Sequence, residues 1–218
     1  GLCLVITPLI ALMKDQVDVL EKRRQIGEAA YINSMLSPAE RKDAIEKVRS
    51  GEKSILYISP ESLRSNTIFN LLMERRVERI VVDEAHCFSS WGHDFRVDYL
   101  YLAEFLRDLQ TEKKLETPIP ISCFTATAKK SVVEDICSYF KERLNIELVQ
   151  FISPAKRSNL TYKVVESSES QNERRKQLIN LLREYAGPKI IYASKVKTTE
   201  SLAEELYNRG FASACYNG

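Results

Sequence analysis

The sequence predicts an α/β protein, with a parallel sheet covered by helices on both faces. Two observations carry that expectation. Short apolar runs alternate with segments of helical periodicity almost from end to end. The runs are continuously apolar, as strands buried on both faces are. The pattern then pauses at a polar, proline-containing stretch, "ISPAKRSNL" (152–160), and restarts. That pause divides the chain into a first α/β unit over 1–153 and the start of a second over 154–218.

Taken in order, "LCLVI" (2–6) reads as a buried strand. Thr7-Pro8 supplies an N-cap and a first-turn proline, and Leu9, Leu12, Met13, Val17 and Leu20 form one apolar helical face behind it. "AAYIN" (29–33) is a short strand. Ser37-Pro-Ala-Glu40 has the form of a capping box, in which each side chain satisfies the other residue's backbone N–H, and its helix closes near Gly51. "SILYIS" (54–59), "RIVVD" (79–83) and "PISCF" (120–124) are three further strands, with helices over 67–75, 97–110 and 128–141. Beyond the linker, "TYKVV" (161–165), "KIIYAS" (189–194) and "ASACY" (212–216) read as strands, and 171–185 and 198–210 as helices.

Composition narrows the function classes. The chain has 218 residues, 44% hydrophobic and 28% charged, which suits a globular chain with a real core. Thirty-two Lys and Arg against thirty Asp and Glu leave a net charge of +2, so any nucleic-acid face must be local. No apolar run approaches the ~18–20 residues that span a bilayer. The opening "GLCLVITPLIALMKDQ" has neither a basic leader nor a small-residue cleavage site. Five cysteines, with no CxxC pair, form neither a disulfide framework nor a zinc pattern. Cys3, Cys123 and Cys215 fall inside apolar runs and read as reduced core thiols.

"RIVVDEAHCFSSWGHDFR" (79–96) concentrates the chemistry. Asp83 and Glu84 end a buried strand, and ligands of open parallel sheets sit at strand carboxyl ends. A carboxylate there can hold Mg²⁺ on nucleotide phosphates, and its neighbour can orient or deprotonate water. A strand that merely ends in surface acids is the plainer reading. His86 and His93 could join Asp83 as metal ligands, but the spacing fits neither HExxH nor a zinc finger. Trp91 and Phe95 fit either core anchors of a long loop or stacking platforms for bases. "SCFTATAKK" (122–130) fits a strand running into a helix capped by Thr127, and Lys14 fits a solvated helix face.

Five stretches in fixed order bear on these readings: "VITPLIALMKDQV" (5–17), "LYISPESL" (56–63), "VVDEAHCFSSWGHDFRVDY" (81–99), "CFTATA" (123–128) and "IIYASKVKTTESLAEEL" (190–206). Together they resemble the DEAH-type motor of the RecQ family of DNA helicases, within superfamily two. The aromatic-rich loop behind DEAH is the most specific part. Ser90 stands where that family usually has Gln, and Val97 where it usually has Pro.

The resemblance implies two RecA-like motor domains. It implies that Asp83 coordinates Mg²⁺, that Glu84 activates the water attacking the γ-phosphate of ATP, and that His86 couples the site to its surroundings. Trp91, His93, Phe95 and Arg96 would sense single-stranded DNA. Thr125 and Thr127 would link nucleotide state to DNA grip, while Lys14, Gln16, Ser59 and Glu61 would lie near the DNA backbone. The expected activity is ATP-dependent 3′-to-5′ DNA unwinding, coupling ATP hydrolysis to translocation on single-stranded DNA, with single-stranded and partly duplex DNA as partners, in a bacterial cytoplasm or a eukaryotic nucleus. A catalytically inactive nucleic-acid-binding module of the same fold and a translocase without strand separation are the alternatives.

No GxxxxGK[ST] loop occurs in the 218 residues. The resemblance implies that this loop lies upstream of Gly1 and that the remaining second-domain motifs lie beyond Gly218. The chain then reads as an internal piece of a longer helicase, nearly inactive alone, with its first domain complete except for the phosphate-loop strand and its second truncated. Loss of a central strand would leave unpaired strand edges.

Overall fold

A computed structural model describes residues 1–23, 26–89, 97–126, 129–153 and 159–216. The chain divides into two compact units, Gly1–Lys156 and Arg157–Gly218.

In the first unit, β1 (Leu2–Ile6), β2 (Ala29–Ile32), β3 (Ile55–Ile58), β4 (Val77–Val82) and β5 (Ile121–Cys123) form one sheet of order β2-β3-β1-β4-β5. Every pairing is parallel, so the expected α/β architecture is present. The ladder has no gap, and its open edges belong to β2 and β5. β1 is central, and Leu2, Leu4 and Ile6 have no exposed surface. Its register sets one row as Ile58, Ile6 and Val82 across three neighbouring strands. The residues following that row, Ser59, Thr7 and Asp83, therefore share the carboxyl edge of the sheet.

Helices α1 (Ile10–Arg23), α2 (Pro38–Ser50), α3 (Asn66–Glu74), α4 (Val97–Leu100), α5 (Leu102–Glu112) and α6 (Lys130–Leu144) cover the sheet. Their buried positions follow helical spacing: Ile68, Leu71 and Leu72 on α3, and Leu102, Phe105, Leu106 and Leu109 on α5. Val132, Ile136 and Phe140 do the same on α6, and all join one core with the strands. The capping box of α2 is complete: the Glu40 N–H donates to Ser37 Oγ, and the Ser37 N–H donates to Glu40 Oε2. Gly51 then closes the helix at φ 89°, in the left-handed region that suits glycine.

Three expectations change here. The helix expected over 97–110 is broken at Tyr101, between α4 and α5. The Tyr139 hydroxyl accepts from the Ala103 N–H at 2.8 Å and donates to the Leu100 carbonyl at 2.9 Å, taking backbone groups that a continuous helix would pair internally. Helix α1 begins at Ile10, and the Thr7 hydroxyl turns into the protein instead of capping it. Helix α6 has Lys129, not Thr127, at its N-cap position; Thr127 lies outside the described residues.

The second unit holds α7 (Gln171–Glu184) and α8 (Val196–Asn208). Ile179, Leu182 and Leu206 pack with Leu178, Ile191, Leu202 and Phe211, and Arg175 donates to Glu205 at 2.6 Å beside that contact. The runs 161–165, 189–194 and 212–216 are not strands. Val164 is 98% exposed and Tyr192 91%, because a β-prone run becomes a strand only where a neighbour supplies N–H and C=O partners. Among the described residues no such neighbour pairs with them.

All five thiols are free. Cys87 is buried, and Cys3, Cys123 and Cys137 are half-buried. Cys215 is exposed rather than in the core, since its run has no sheet to enter. No helix among the described residues is long and apolar enough to cross a membrane.

Candidate functional site

The site grows from the end of β4. The Asp83 N–H donates to the Ile6 carbonyl at 2.8 Å, so the central ladder holds the backbone of Asp83 in line. Each carboxylate oxygen of Asp83 accepts one protein hydrogen bond. The Glu84 N–H reaches Oδ1 at 2.9 Å, and the fully buried Thr7 hydroxyl reaches Oδ2 at 3.3 Å.

Glu84 has φ 48° and ψ 45°, in the left-handed region that costs a non-glycine residue ~1–3 kcal/mol. That conformation turns the chain sharply off the strand into a 3-10 turn, Ala85–Phe88. The Ala85 N–H then donates to the Phe124 carbonyl at 2.9 Å, and the Phe124 N–H to the Val82 carbonyl at 2.8 Å. This stitch brings Thr125 to His86, with Oγ1 and Nδ1 separated by 3.1 Å. The same Nδ1 lies 3.1 Å from Glu84 Oε2. A carboxylate at that distance demands a donor, so Nδ1 carries the hydrogen and is shared between Glu84 and Thr125.

The structure thus unites Asp83, Glu84, His86 and Thr125 with Thr7 around one strand end. Both acids keep part of their surface, as groups that meet a diffusing ligand require. Asp83 offers hard oxygen at the mouth of a parallel sheet, which fits a Mg²⁺ ion taking one protein carboxylate and completing its shell from phosphates and water. Among the described residues no group of three or more His, Cys, Asp or Glu is gathered as a metal cage.

The other expected residues are placed unevenly. Ser59 is buried at the same sheet edge, its hydroxyl 3.1 Å from that of Ser62, and Glu61 is exposed on the 3-10 turn Pro60–Arg64. Lys14 is exposed on α1. Gln16, three-residue neighbours away from the buried Met13, is half-buried, and its Oε1 has no hydrogen-bond partner. Trp91, His93, Phe95, Arg96 and Thr127 lie outside the described residues.

Two residues that sequence reasoning passed over belong to the site. Thr7 read as a helix cap; its signal was its place as the first polar residue after the central strand. Tyr99 is buried and donates its hydroxyl to the Asp83 carbonyl at 2.9 Å, and nothing in the pattern singled it out.

Comparison with known proteins places these features. Residues 1–136 match the model of the DEAD/DEAH box helicase family. The chain is 36% identical over its whole length to the ATP-dependent DNA helicase RecQ of Haemophilus influenzae, covering 33% of that protein. It is likewise 36% identical over its whole length to the RecQ of Synechocystis sp., covering 44% of it. Over 96% of its length it is 34% identical to the probable ATP-dependent DNA helicase RecS of Bacillus subtilis, covering 39% of it. The chain thus spans between a third and a half of these relatives. Among solved structures, the helicase Lhr of Mycobacterium smegmatis bound to ssDNA and AMP-PNP aligns with 99% of this chain and 29% of its own. The TM-score is 0.59 at 15% identity, a likeness of fold.

Proposed function

The chain belongs to the DEAD/DEAH box helicase family, with RecQ helicases as whole-length relatives, and we propose that it forms the acidic half of an ATP-hydrolysing, DNA-translocating motor. One observation carries this reading. Glu84 is turned by a left-handed backbone off the end of β4 and tied to His86, while Asp83 beside it stays fixed in line with the sheet.

In this reading Asp83 would hold Mg²⁺ bound with ATP. The ion, when bound, neutralises charge gathering on the phosphate oxygens. Thr7 and the Glu84 N–H fix the rotamer of Asp83, so that its carboxylate is oriented before ligand arrives. Glu84 takes the proton of the attacking water, and His86 Nδ1–H, 3.1 Å from its Oε2, keeps its carboxylate aimed. Thr125, bonded to that same nitrogen, transmits changes after β5 to Glu84. Single-stranded DNA lies along the carboxyl edge near Ser59, Glu61 and Lys14, with the stretch from Trp91 to Arg96 as its sensor, and the motor moves 3′ to 5′.

The test is ATP hydrolysis and strand displacement by the full-length protein on duplexes tailed at either end. DNA-stimulated hydrolysis with unwinding of the 3′-tailed duplex alone is expected. Hydrolysis without displacement on either duplex would reduce the protein to a translocase.

A further inference from the structure

The carbonyl that Tyr99 holds belongs to the peptide entering Glu84, the residue in the left-handed region. A glutamate side chain has little intrinsic preference for that conformation, so the peptide must be held by its surroundings. Tyr99 holds its carbonyl, and Asp83 Oδ1 holds its N–H. The ring of Tyr99 cannot swing aside without repacking. It meets Phe88 edge-on at 5.1 Å, and Phe88 in turn packs on Tyr139 at 4.6 Å and Phe140 at 5.4 Å.

The residue before Tyr99 points elsewhere. Asp98 accepts from Arg64 Nε at 3.1 Å, and the Arg64 guanidinium also lies 4.8 Å from the centre of the Tyr101 ring. Arg64 ends the 3-10 turn that begins beside Ser59. Helix α4, four residues long, therefore joins two segments of the sheet's carboxyl edge, the peptide of the paired acids and the Pro60–Arg64 turn.

We propose that Tyr99 is a positioning residue for Glu84, and that the Arg64–Asp98 pair ties its helix to the Pro60–Arg64 turn so that displacement of that turn reaches the Glu84 carboxylate. The inference rests on the hydrolytic reading of Asp83 and Glu84 above. An exposed ion pair of this kind contributes little to stability, so its purpose shows in coupling and not in melting.

The experiment uses the full-length protein and measures kcat and KM for ATP, with and without single-stranded DNA, beside thermal melts. Tyr99→Phe removes one oxygen and keeps the ring. It should lower kcat about tenfold in both conditions, with KM within about twofold, as misplacement of a reacting group does. Arg64→Ala should keep basal kcat and lose about threefold to fivefold of the DNA stimulation, and the exchanged pair Arg64→Asp with Asp98→Arg should recover at least about half of it. Parental kcat in a folded Tyr99→Phe protein overturns the proposal. So does a joint loss of kcat, KM and about 10 °C of melting temperature, which would make the hydroxyl an element of packing. Failure of the exchanged pair to restore stimulation overturns the link to the turn. Glu84→Gln runs in parallel: if it hydrolyses ATP at the parental rate, the hydrolytic reading itself falls. If it is dead while Tyr99→Phe is normal, only the positioning role does.

Discussion

Residues 2–123 and 161–216 carry the same kind of pattern, short β-prone runs alternating with amphipathic helices, yet only the first set builds a sheet. In the first unit every run finds a parallel neighbour, and the central strand disappears from solvent. In the second, the helices α7 and α8 pack on each other while Ile190 stays 81% exposed. Helical hydrogen bonds close within a segment, whereas ladder bonds need another segment. The helical half of a pattern is therefore local information, and the strand half is conditional on company.

Chemistry gives the largest expected contrast, since the acids belong to the first unit. In the full-length protein Glu84→Gln should slow ATP hydrolysis by about two to four decades with nucleotide binding nearly intact, the range for loss of a general base. Asp83→Asn should instead weaken the binding of Mg²⁺ with nucleotide. Small and equal effects in turnover and nucleotide titrations would return these acids to a surface strand end.

Stability is the next contrast. Phe140→Ala empties a fully buried position packed against Phe88 and should cost about 3–5 kcal/mol in urea unfolding. Tyr192→Ala, at a position 91% exposed, should stay within about 0.5 kcal/mol. A comparable loss at Tyr192 would show that the second unit's runs are buried in the protein as measured, and would break the comparison.

Thiol chemistry should follow the same division. Burial, with Cys137 nearby, pushes the Cys123 thiol up to about 12, while Cys215 is exposed. Labelling at pH 8 should reach Cys215 at least about a hundredfold faster than Cys123, because the thiolate is the reacting species. Since the fold keeps Cys123 protonated longer than the unfolded chain does, this group's contribution to stability falls as pH rises from about 9 towards 12.

Helix caps give the smallest effects. Ser37→Ala removes the capping box of α2 and should cost ~1 kcal/mol. Helix α8 has Lys195 at its N-cap, in extended backbone and with no side-chain bond to the helix, so Lys195→Asp should gain about 0.5–1 kcal/mol. Equal silence of both changes in urea melts would mean that tertiary packing alone holds these ends.

Much of this molecule was legible because the signals are short-range. Continuous apolar runs located all five strands to within two residues, and Ser37 with Glu40 marked where α2 begins. The placement of Asp83 and Glu84 at a strand's carboxyl end followed from the same periodicity. Thr7 was misread because a threonine before a proline is a cap in isolation; only the neighbouring β4 offers its hydroxyl a carboxylate. Helical spacing alone likewise did not show that the side-chain oxygen of Gln16 would be enclosed.

The sequence by itself determined which segments are helices, which apolar runs are able to enter a sheet, and that two acids close the run over 79–83. Tertiary structure alone decided the strand order, the left-handed turn at Glu84, the break between α4 and α5, and the meeting of Tyr99 with the Asp83 carbonyl. The physical reason is range. Propensity, periodicity and capping act over a few residues of chain, whereas each of those four features is set by contact with chain distant in sequence, whose position no local pattern encodes.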